Sequence, residues 1–310
     1  MSFVNLHSHS TYSTLDSLSS VEQLAEQAKR FDFPAIGLTD HGGLGGMIKF
    51  YKACKAIDIT PIIGCELYIT EDADGLTKEE MTKDNYHLTT LAMNDAGLRN
   101  LMILNAEAYR DNFYYKPRVH ERKLAEHSEG LVVLSSCLGG RLAGAEDESQ
   151  ARAIIEFYRE VFGKNFFMEI MGLPTDNPVQ AQEQMNLNAM ALTLGNVYDI
   201  PAIITTDSHY SCQGDKELHE VLMCIGLKKT LPVYQEQTEM KIPTTCFIKG
   251  KEEMEESARN AGCEDAVANS LKVLDLYEGY NLKLGEPKMS EFDPQKQEDY
   301  QEFQESLNVQ

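Results

Sequence analysis

Basic residues are scarce in this chain: 28 lysines and arginines stand against 49 aspartates and glutamates, a net charge of −21. Affinity for nucleic acid rests largely on neutralising phosphates with lysine and arginine, so the isolated surface should repel DNA unless bound cations or a basic partner offset the charge locally. Such a balance governs association and says little about fold. Also lacking is any apolar run near the ~20 residues a membrane-spanning helix needs, so no membrane partner is expected. Residues 1–7, Met-Ser-Phe-Val-Asn-Leu-His, offer neither a basic leader nor an apolar core, and no secretory signal is expected. The 7 cysteines, at positions 54, 65, 137, 212, 224, 246 and 263, include no C-x-x-C pair. An odd, scattered set suits reduced thiols in a cytoplasmic protein better than a disulfide framework. No Gly-x-Ser-x-Gly elbow supports serine-hydrolase chemistry. The Gly42-Gly43-Leu44-Gly45-Gly46 stretch lacks the ending of a P-loop and the spacing of a dinucleotide site, and reads as a flexible turn. No internal repeat is visible.

What is present is enough for one large domain with an appendage: 310 residues, 42% of them hydrophobic. Seven short β-like runs (3–6, 35–39, 61–69, 86–93, 131–135, 166–171 and 202–206) are separated by longer helical patterns. The first helix is opened by Ser-Ser-Val-Glu at 19–22, a capping-box arrangement, with Val21, Leu24, Ala25 and Ala28 on one face. Further helices are expected near 47–56, 98–109, 149–162 and 179–199. This alternation predicts parallel β/α winding. A closed barrel is favoured over an open sheet because His7, His41, Cys137, Asp207 and His209 each fall just past the end of a run, where β/α barrels collect their active sites. The expected organisation is a barrel over 1–225, an irregular and helical extension packed on it over 226–290, and an acidic, Gln-rich, disordered tail over 291–310.

The chemistry-bearing residues are histidines, carboxylates and one cysteine. His7 and His9 share a face if the run stays extended, because alternate residues do, and two imidazoles so placed can hold one metal. Asp16 follows as an oxygen donor in a polar loop. Asp40-His41 and Asp207-Ser208-His209 repeat an Asp/His cluster at two run ends, and Asp40 is expected to orient the His41 ring. Glu66 interrupts a strongly apolar strand, where a buried charge needs compensation. His87 starts the fourth run, and Cys137 follows the fifth. Taken singly, most of these have ordinary structural explanations, as turn residues, core thiols or hydrogen-bonding histidines. Their joint placement is what argues for a metal site. His120, His127 and His219 lie among lysines and glutamates and are expected at the surface.

In this order, the residues resemble the polymerase and histidinol phosphatase (PHP) family of metal-dependent phosphoesterases. The matching motifs are His7-Ser8-His9, Thr39-Asp40-His41-Gly42, the region of Cys137, and Asp207-Ser208-His209. Leu-His-Ser-His-Ser-Thr-Tyr-Ser-Thr-Leu-Asp (6–16), Pro-Ile-Ile-Gly-Cys-Glu-Leu-Tyr (61–68), His-Leu-Thr-Thr-Leu-Ala (87–92) and Leu-Ser-Ser-Cys-Leu-Gly-Gly (134–140) are closest to the branch attached to the bacterial DNA polymerase III alpha subunit. The likeness runs from residue 1 to about 290. It implies a distorted (β/α)7 TIM-like barrel and three divalent metals: His7, His9, Glu66 and Asp207 for the first, Asp16, His41 and His209 for the second, and Glu66, His87 and Cys137 for the third, with Glu66 bridging. Mixed N/O/S ligation suits Zn²⁺, with Mn²⁺ or Fe²⁺ as alternatives at the O/N positions. The activity implied is hydrolysis of a phosphate ester by a metal-activated water, without a covalent intermediate. The resemblance favours a 3′–5′ exonuclease acting on a DNA 3′ end in a replication context. The alternatives are a phosphatase for a small phosphate ester or pyrophosphate, and a non-catalytic module docking a polymerase or editing partner. Arg141 departs from the family pattern and is expected either to contact phosphate or to lie at the surface. No polymerase carboxylates follow, so polymerisation is not expected.

Overall fold

Ser20, not Ser19, caps the first helix. In the computed structural model its side chain accepts from the Gln23 backbone while Gln23 reaches back, so the capping box is set one residue later than the sequence spacing predicts, and α1 spans Val21–Arg30. The structure describes residues 3–71, 81–172, 177–236 and 245–285. In chain order there follow β1 (Ala35–Leu38), α2 (Met47–Ala56), β2 (Thr60–Thr70), β3 (Tyr86–Ala92), α3 (Asp95–Arg110), β4 (Phe113–Tyr114), β5 (Lys116–His120), α4 (Glu121–Glu126), β6 (Leu131–Leu134), α5 (Glu148–Phe162), β7 (Phe166–Met171), α6 (Pro178–Tyr198) and β8 (Ala202–Thr205). After them come α7 (Lys216–Leu227), α8 (Leu231–Glu236), α9 (Lys251–Ala261) and α10 (Asp265–Asp275). One compact unit covers Met1–Tyr280, and Asn281–Gln310 forms the second.

The sheet runs β1-β2-β3-β6-β7-β8 and curls, with the small β4–β5 hairpin attached to the far end of β2. Its two edges meet through the N-terminal segment. Residues 3–6 are not a regular strand; Asn5 bridges Ile36 and Ser8 bridges Ser208. The seam is nevertheless bonded on both sides: Gly37 N–H donates to the Asn5 carbonyl (2.8 Å) and Thr39 N–H to Ser8 (2.8 Å), while Ser208 N–H donates to His7 (3.1 Å) and His9 N–H to Ser208 (2.8 Å). Seven positions thus form the distorted β/α barrel, one of them an irregular extended segment.

The winding is not wholly parallel. β3 runs antiparallel to both β2 and β6, a direction that hydropathy periodicity within one strand does not encode. The reversal has a consequence for His87. Near the start of β3, it lies at the same barrel end as residues just past the C-terminal ends of parallel β1, β6, β7 and β8. The β4–β5 hairpin was not anticipated from the sequence either. At the opposite end, α10 plugs the barrel: Val273 joins a core with Val4, Leu6, Ile62, Val132 and Ile203. Ser270 Oγ accepts from Val4 N (3.1 Å), and Asn269 donates to the Ala202 carbonyl (2.7 Å).

Past the barrel, the helical part of the 226–290 extension is two helices, α9 ending at Gly262 in the left-handed conformation (φ 71°) that glycine adopts without strain. The irregular part of that extension contains α8; residues 237–244, and the tail 291–310, lie outside the described residues. No helix among the described residues is long and apolar enough to cross a membrane. His120 and His219, expected at the surface, are buried. Arg122 and Glu217 beside them are exposed, while Arg118 is buried with His120, an arrangement composition alone does not resolve.

Candidate metal centre

Every one of the nine donor residues singled out from the sequence converges at one end of the barrel. The seam pairing holds residues 7–9 extended, so His7 and His9 project to the same side and their Nε2 atoms lie 3.2 Å apart. Asp207, in a left-handed turn (φ 45°) after β8, brings Oδ1 to 3.2 Å from His7 Nε2 and 3.0 Å from His9 Nε2. Asp tolerates that conformation better than most residues.

Glu66 is the hub. It is fully buried in β2, and its Oε2 lies 3.5 Å from His7, 3.2 Å from His9 and 3.0 Å from His41, while Oε1 lies 2.9 Å from His87 Nδ1. Cys137 Sγ sits 3.6 Å from that same Oε1 and 3.6 Å from His87 Nδ1. On the other flank, Asp16 Oδ2 is 2.7 Å from His41 Nε2 and 3.5 Å from His209 Nε2. The His209 ring is fixed by its Nδ1, 2.7 Å from the Asp207 carbonyl.

Electrostatics at the cluster call for cations. Burial disfavours the imidazolium of His41, but Glu66 and Asp16 outweigh it and raise its pKa to about 9. His7 and His209 are raised for the same reason, each against its own burial, by Asp207 with Glu169 and by Asp207 with Asp16. Burial disfavours ionised Glu66 too, yet the surrounding imidazoles hold it well below the usual carboxylate range. Burial and the Glu66 charge push the Cys137 thiol up.

The donors fit a divalent metal. Glu66 Oε2 and His41 Nδ1 are buried and make no hydrogen bond although they are only 3.0 Å apart, as expected of lone pairs that face an ion. Tetrahedral ligation at about 2.0–2.3 Å separates donors by roughly 3.3–3.8 Å, and the spacings around Glu66, from 2.9 to 3.6 Å, lie in or just below that range. His7, His9, Glu66 and Asp207 form one group whose donor atoms all lie within 4.8 Å of one another; His9, His41 and His209, and His41, Glu66 and His87, form two more.

The structure places the two other singled-out residues apart from the cluster. The Asp40 carboxylate does not touch the His41 ring; it accepts from Ser10 N (2.6 Å), Ser10 Oγ (2.8 Å) and Ser13 Oγ (2.8 Å). Ser13 in turn lies 3.2 Å from His9 Nδ1 and accepts from His41 N (3.1 Å), so Asp40 organises the loop that carries Asp16. The Arg141 guanidinium is clasped by Glu71 and Glu121.

Two participants escaped the sequence reading. Glu169, buried in β7, puts Oε1 2.7 Å from His7 Nδ1 and accepts from Thr205 (2.6 Å) and Thr89 (3.1 Å). A glutamate inside Phe-Phe-Met-Glu-Ile-Met carries the same signal that singled out Glu66. His219 of α7 contacts the Asp16 carbonyl through Nε2 (2.8 Å) and packs edge-on to His209. Burial and neighbouring His209 lower its pKa to about 4, so this ring is neutral.

The profile of the PHP domain family matches residues 5–172. The DNA polymerase III subunit alpha of Treponema pallidum is 39% identical over 262 residues, covering 82% of this chain and 22% of the relative. That of Aquifex aeolicus is 37% identical over 238 residues, covering 74% of this chain and 20% of the relative. The chain therefore spans about a fifth of the length of these relatives. Among solved structures, a proposed metal-dependent phosphoesterase from Bifidobacterium adolescentis is similar with a TM-score of 0.42 at 15% identity, covering 67% of this chain and 88% of that one.

Proposed function

The chain belongs to the PHP domain family, and on that premise we propose that it is a metal-dependent phosphoric ester hydrolase acting on DNA phosphodiesters as a 3′–5′ exonuclease. The observation that carries the reading is the position of Glu66, fully buried yet within 3.6 Å of five other donor side chains, His7, His9, His41, His87 and Cys137. A solitary structural metal would need four donors. Nine, joined through one carboxylate, support a multinuclear centre. His7, His9, Glu66 and Asp207 would hold one metal, Asp16, His41 and His209 a second, and Glu66, His87 and Cys137 a third. Zn²⁺ and Mn²⁺ suit the donor set, with Fe²⁺ an alternative. Bound there, such ions would lower the pKa of a coordinated water towards neutrality and stabilise charge on phosphoryl oxygens.

The chain's own residues supply the positioning. Glu169 fixes the His7 ring, the Asp207 carbonyl fixes His209, and Asp40 holds the loop bearing Asp16. Rings locked by outer hydrogen bonds present one nitrogen in a defined direction. Relatives named as DNA polymerase III subunit alpha support a replication context and a cytoplasmic location, with a polymerase as partner. The net charge of −21 favours a second reading, a phosphatase for small phosphate esters or pyrophosphate. A third, a docking module stabilised by its metals, predicts metal without turnover.

One experiment separates them. The chain is loaded with Zn²⁺ or Mn²⁺, its metal content measured, and its action on a 3′-labelled oligonucleotide and on p-nitrophenyl phosphate compared, with Asp207→Asn in parallel. Stepwise 3′ shortening lost in Asp207→Asn is expected. Full loading with neither substrate cleaved would overturn the enzymatic reading.

A further inference from the structure

In a chain this acidic, residues 113–118, Phe-Tyr-Tyr-Lys-Pro-Arg, carry three aromatic and two basic side chains and no acidic one. They form the β4–β5 hairpin, in which Tyr114 pairs with Lys116 and leaves Tyr115 alone at the tip. Tyr115 holds φ 58°, a left-handed position that glycine or asparagine occupies far more readily than a bulky aromatic. Tyr115 is 71% exposed, and Phe113 and its neighbour Tyr109 are about half exposed. Tyr115 meets Tyr114 at 4.7 Å, and Phe113 meets Tyr109 at 6.0 Å. Backbone preference does not explain an aromatic side chain there, and its contact with Tyr114 leaves most of the residue open to solvent.

Cations interleave the rings. Lys83 lies 5.9 Å over Tyr115, Arg118 5.3 Å over Tyr114, and Lys116 4.9 Å over Tyr68. The hairpin also leads straight to the metal-ligand cluster. Lys116 Nζ donates to the Tyr68 hydroxyl (3.2 Å), and the Tyr68 ring packs 5.8 Å from His41 and 5.3 Å from His87. A Cβ on Gly42, the residue after His41, would lie 2.8 Å from Pro117 Cγ.

We propose that the β4–β5 hairpin is a stacking platform that receives the single-stranded end of a nucleic acid, with bases on Tyr115 and Phe113 and phosphates between Lys83 and Lys116, and directs it to the cluster. Exposed rings with flanking cations bind single strands without regard to sequence, because every base offers a flat face. Exposed Lys83 and Lys116 offer cations to a polyanion in a molecule whose net charge of −21 otherwise opposes one. This deepens the proposed phosphodiester hydrolysis and rests on it for the fate of the bound strand.

Binding is tested apart from hydrolysis. The full chain in chelator and low salt is titrated into fluorescent oligothymidylate, and anisotropy is followed for the native protein, Tyr115→Gly, Phe113→Ala and Tyr115→Phe. Tyr115→Gly should weaken binding about fivefold to a hundredfold without lowering the urea midpoint, since glycine relieves the tip. Phe113→Ala should weaken it similarly, and Tyr115→Phe should bind as the native chain does. Unchanged affinity in Tyr115→Gly, no binding by the native chain, or equal competition by polyglutamate would overturn the platform. Turnover of bis(p-nitrophenyl) phosphate with Mn²⁺ is measured separately: binding without turnover would overturn the hydrolase reading and support the platform alone.

Discussion

Glu169 and His7 face each other at 2.7 Å inside the barrel, carboxylate Oε1 to ring Nδ1, with both side chains fully buried. The other ring nitrogen of His7 points at Glu66 and Asp207. With a cation bound at Nε2, this division of labour would fix the tautomer: Nδ1 would keep its proton for Glu169, and Nε2 would give up its own for the ion. Thr205 and Thr89 donate to the same carboxylate, so Glu169 cannot swing away without leaving hydroxyls unpaired.

Glu169→Gln preserves the shape and an acceptor oxygen while removing the charge. Competition with a chromophoric chelator should show Zn²⁺ affinity reduced about tenfold to a hundredfold, the usual effect of losing such an outer partner. Affinity equal to that of the native chain would mean that Glu169 serves only the packing of β7.

Cys137 tests the third ligand group. Its sulfur, Glu66 Oε1 and His87 Nδ1 lie within 3.6 Å of one another. Adding Cd²⁺ as a thiophilic stand-in should produce an ultraviolet sulfur-to-metal charge-transfer band and release the thiol proton. In Cys137→Ser the band should vanish and the measured metal content should fall by about one ion per chain. Persistence of the band would assign the thiolate to another cysteine.

Much of this centre was legible in the sequence because strand ends are marked by their apolar runs. Val-Val-Leu-Ser-Ser-Cys and Ile-Ile-Thr-Thr-Asp each show where a buried strand stops and a donor begins. Glu66 stood out as a charge inside such a run. Glu169 is the same signal, hidden because its strand showed no second donor at its end. His219 and His120 failed for a different reason: charged neighbours suggest a surface, yet on α7 Glu217 faces outside while the ring turns in, and at the end of β5 even the charged Arg118 is buried. The direction of β3 was beyond reach, since a strand reads alike in both senses and its partners are fixed by tertiary packing. The hairpin at 113–118 was equally hidden, because two-residue β4 is too short for any period to register.

Asp40 bears on how the loop with Asp16 is held. Its carboxylate accepts three hydrogen bonds from Ser10 and Ser13 and is buried. Asp40→Ala would strand those donors, which costs about 1–3 kcal/mol for each group left unpaired in the interior. Urea unfolding should show a loss of that order or somewhat more. The loop bearing Asp16 should loosen as well, so the loss of metal should concentrate on the His41–Asp16–His209 flank and spare Cys137. A Cd²⁺ band that disappears along with the stability would show that Asp40 supports the whole barrel rather than one loop.

The seam between the N-terminal segment and β1 makes the final prediction. Gly37 is buried in β1 and donates to the Asn5 carbonyl. A Cβ at this position would fall 2.7 Å from the Leu6 carbonyl oxygen and 3.0 Å from Leu6 Cα, backbone atoms that no rotamer change can move aside. Gly37→Ala should therefore push residues 5–7 off β1, at a cost of about 1–3 kcal/mol. His7 and His9 ride on that segment, so the damage should reach the cluster without any ligand being altered. Zn²⁺ affinity should fall together with the urea midpoint, and saturating Zn²⁺ should recover part of the stability, because an ion that binds only the folded chain pulls the equilibrium towards it. A Gly37→Ala chain as stable as the native one, with undiminished Zn²⁺ affinity, would show that the N-terminal segment finds its place without close contact to β1.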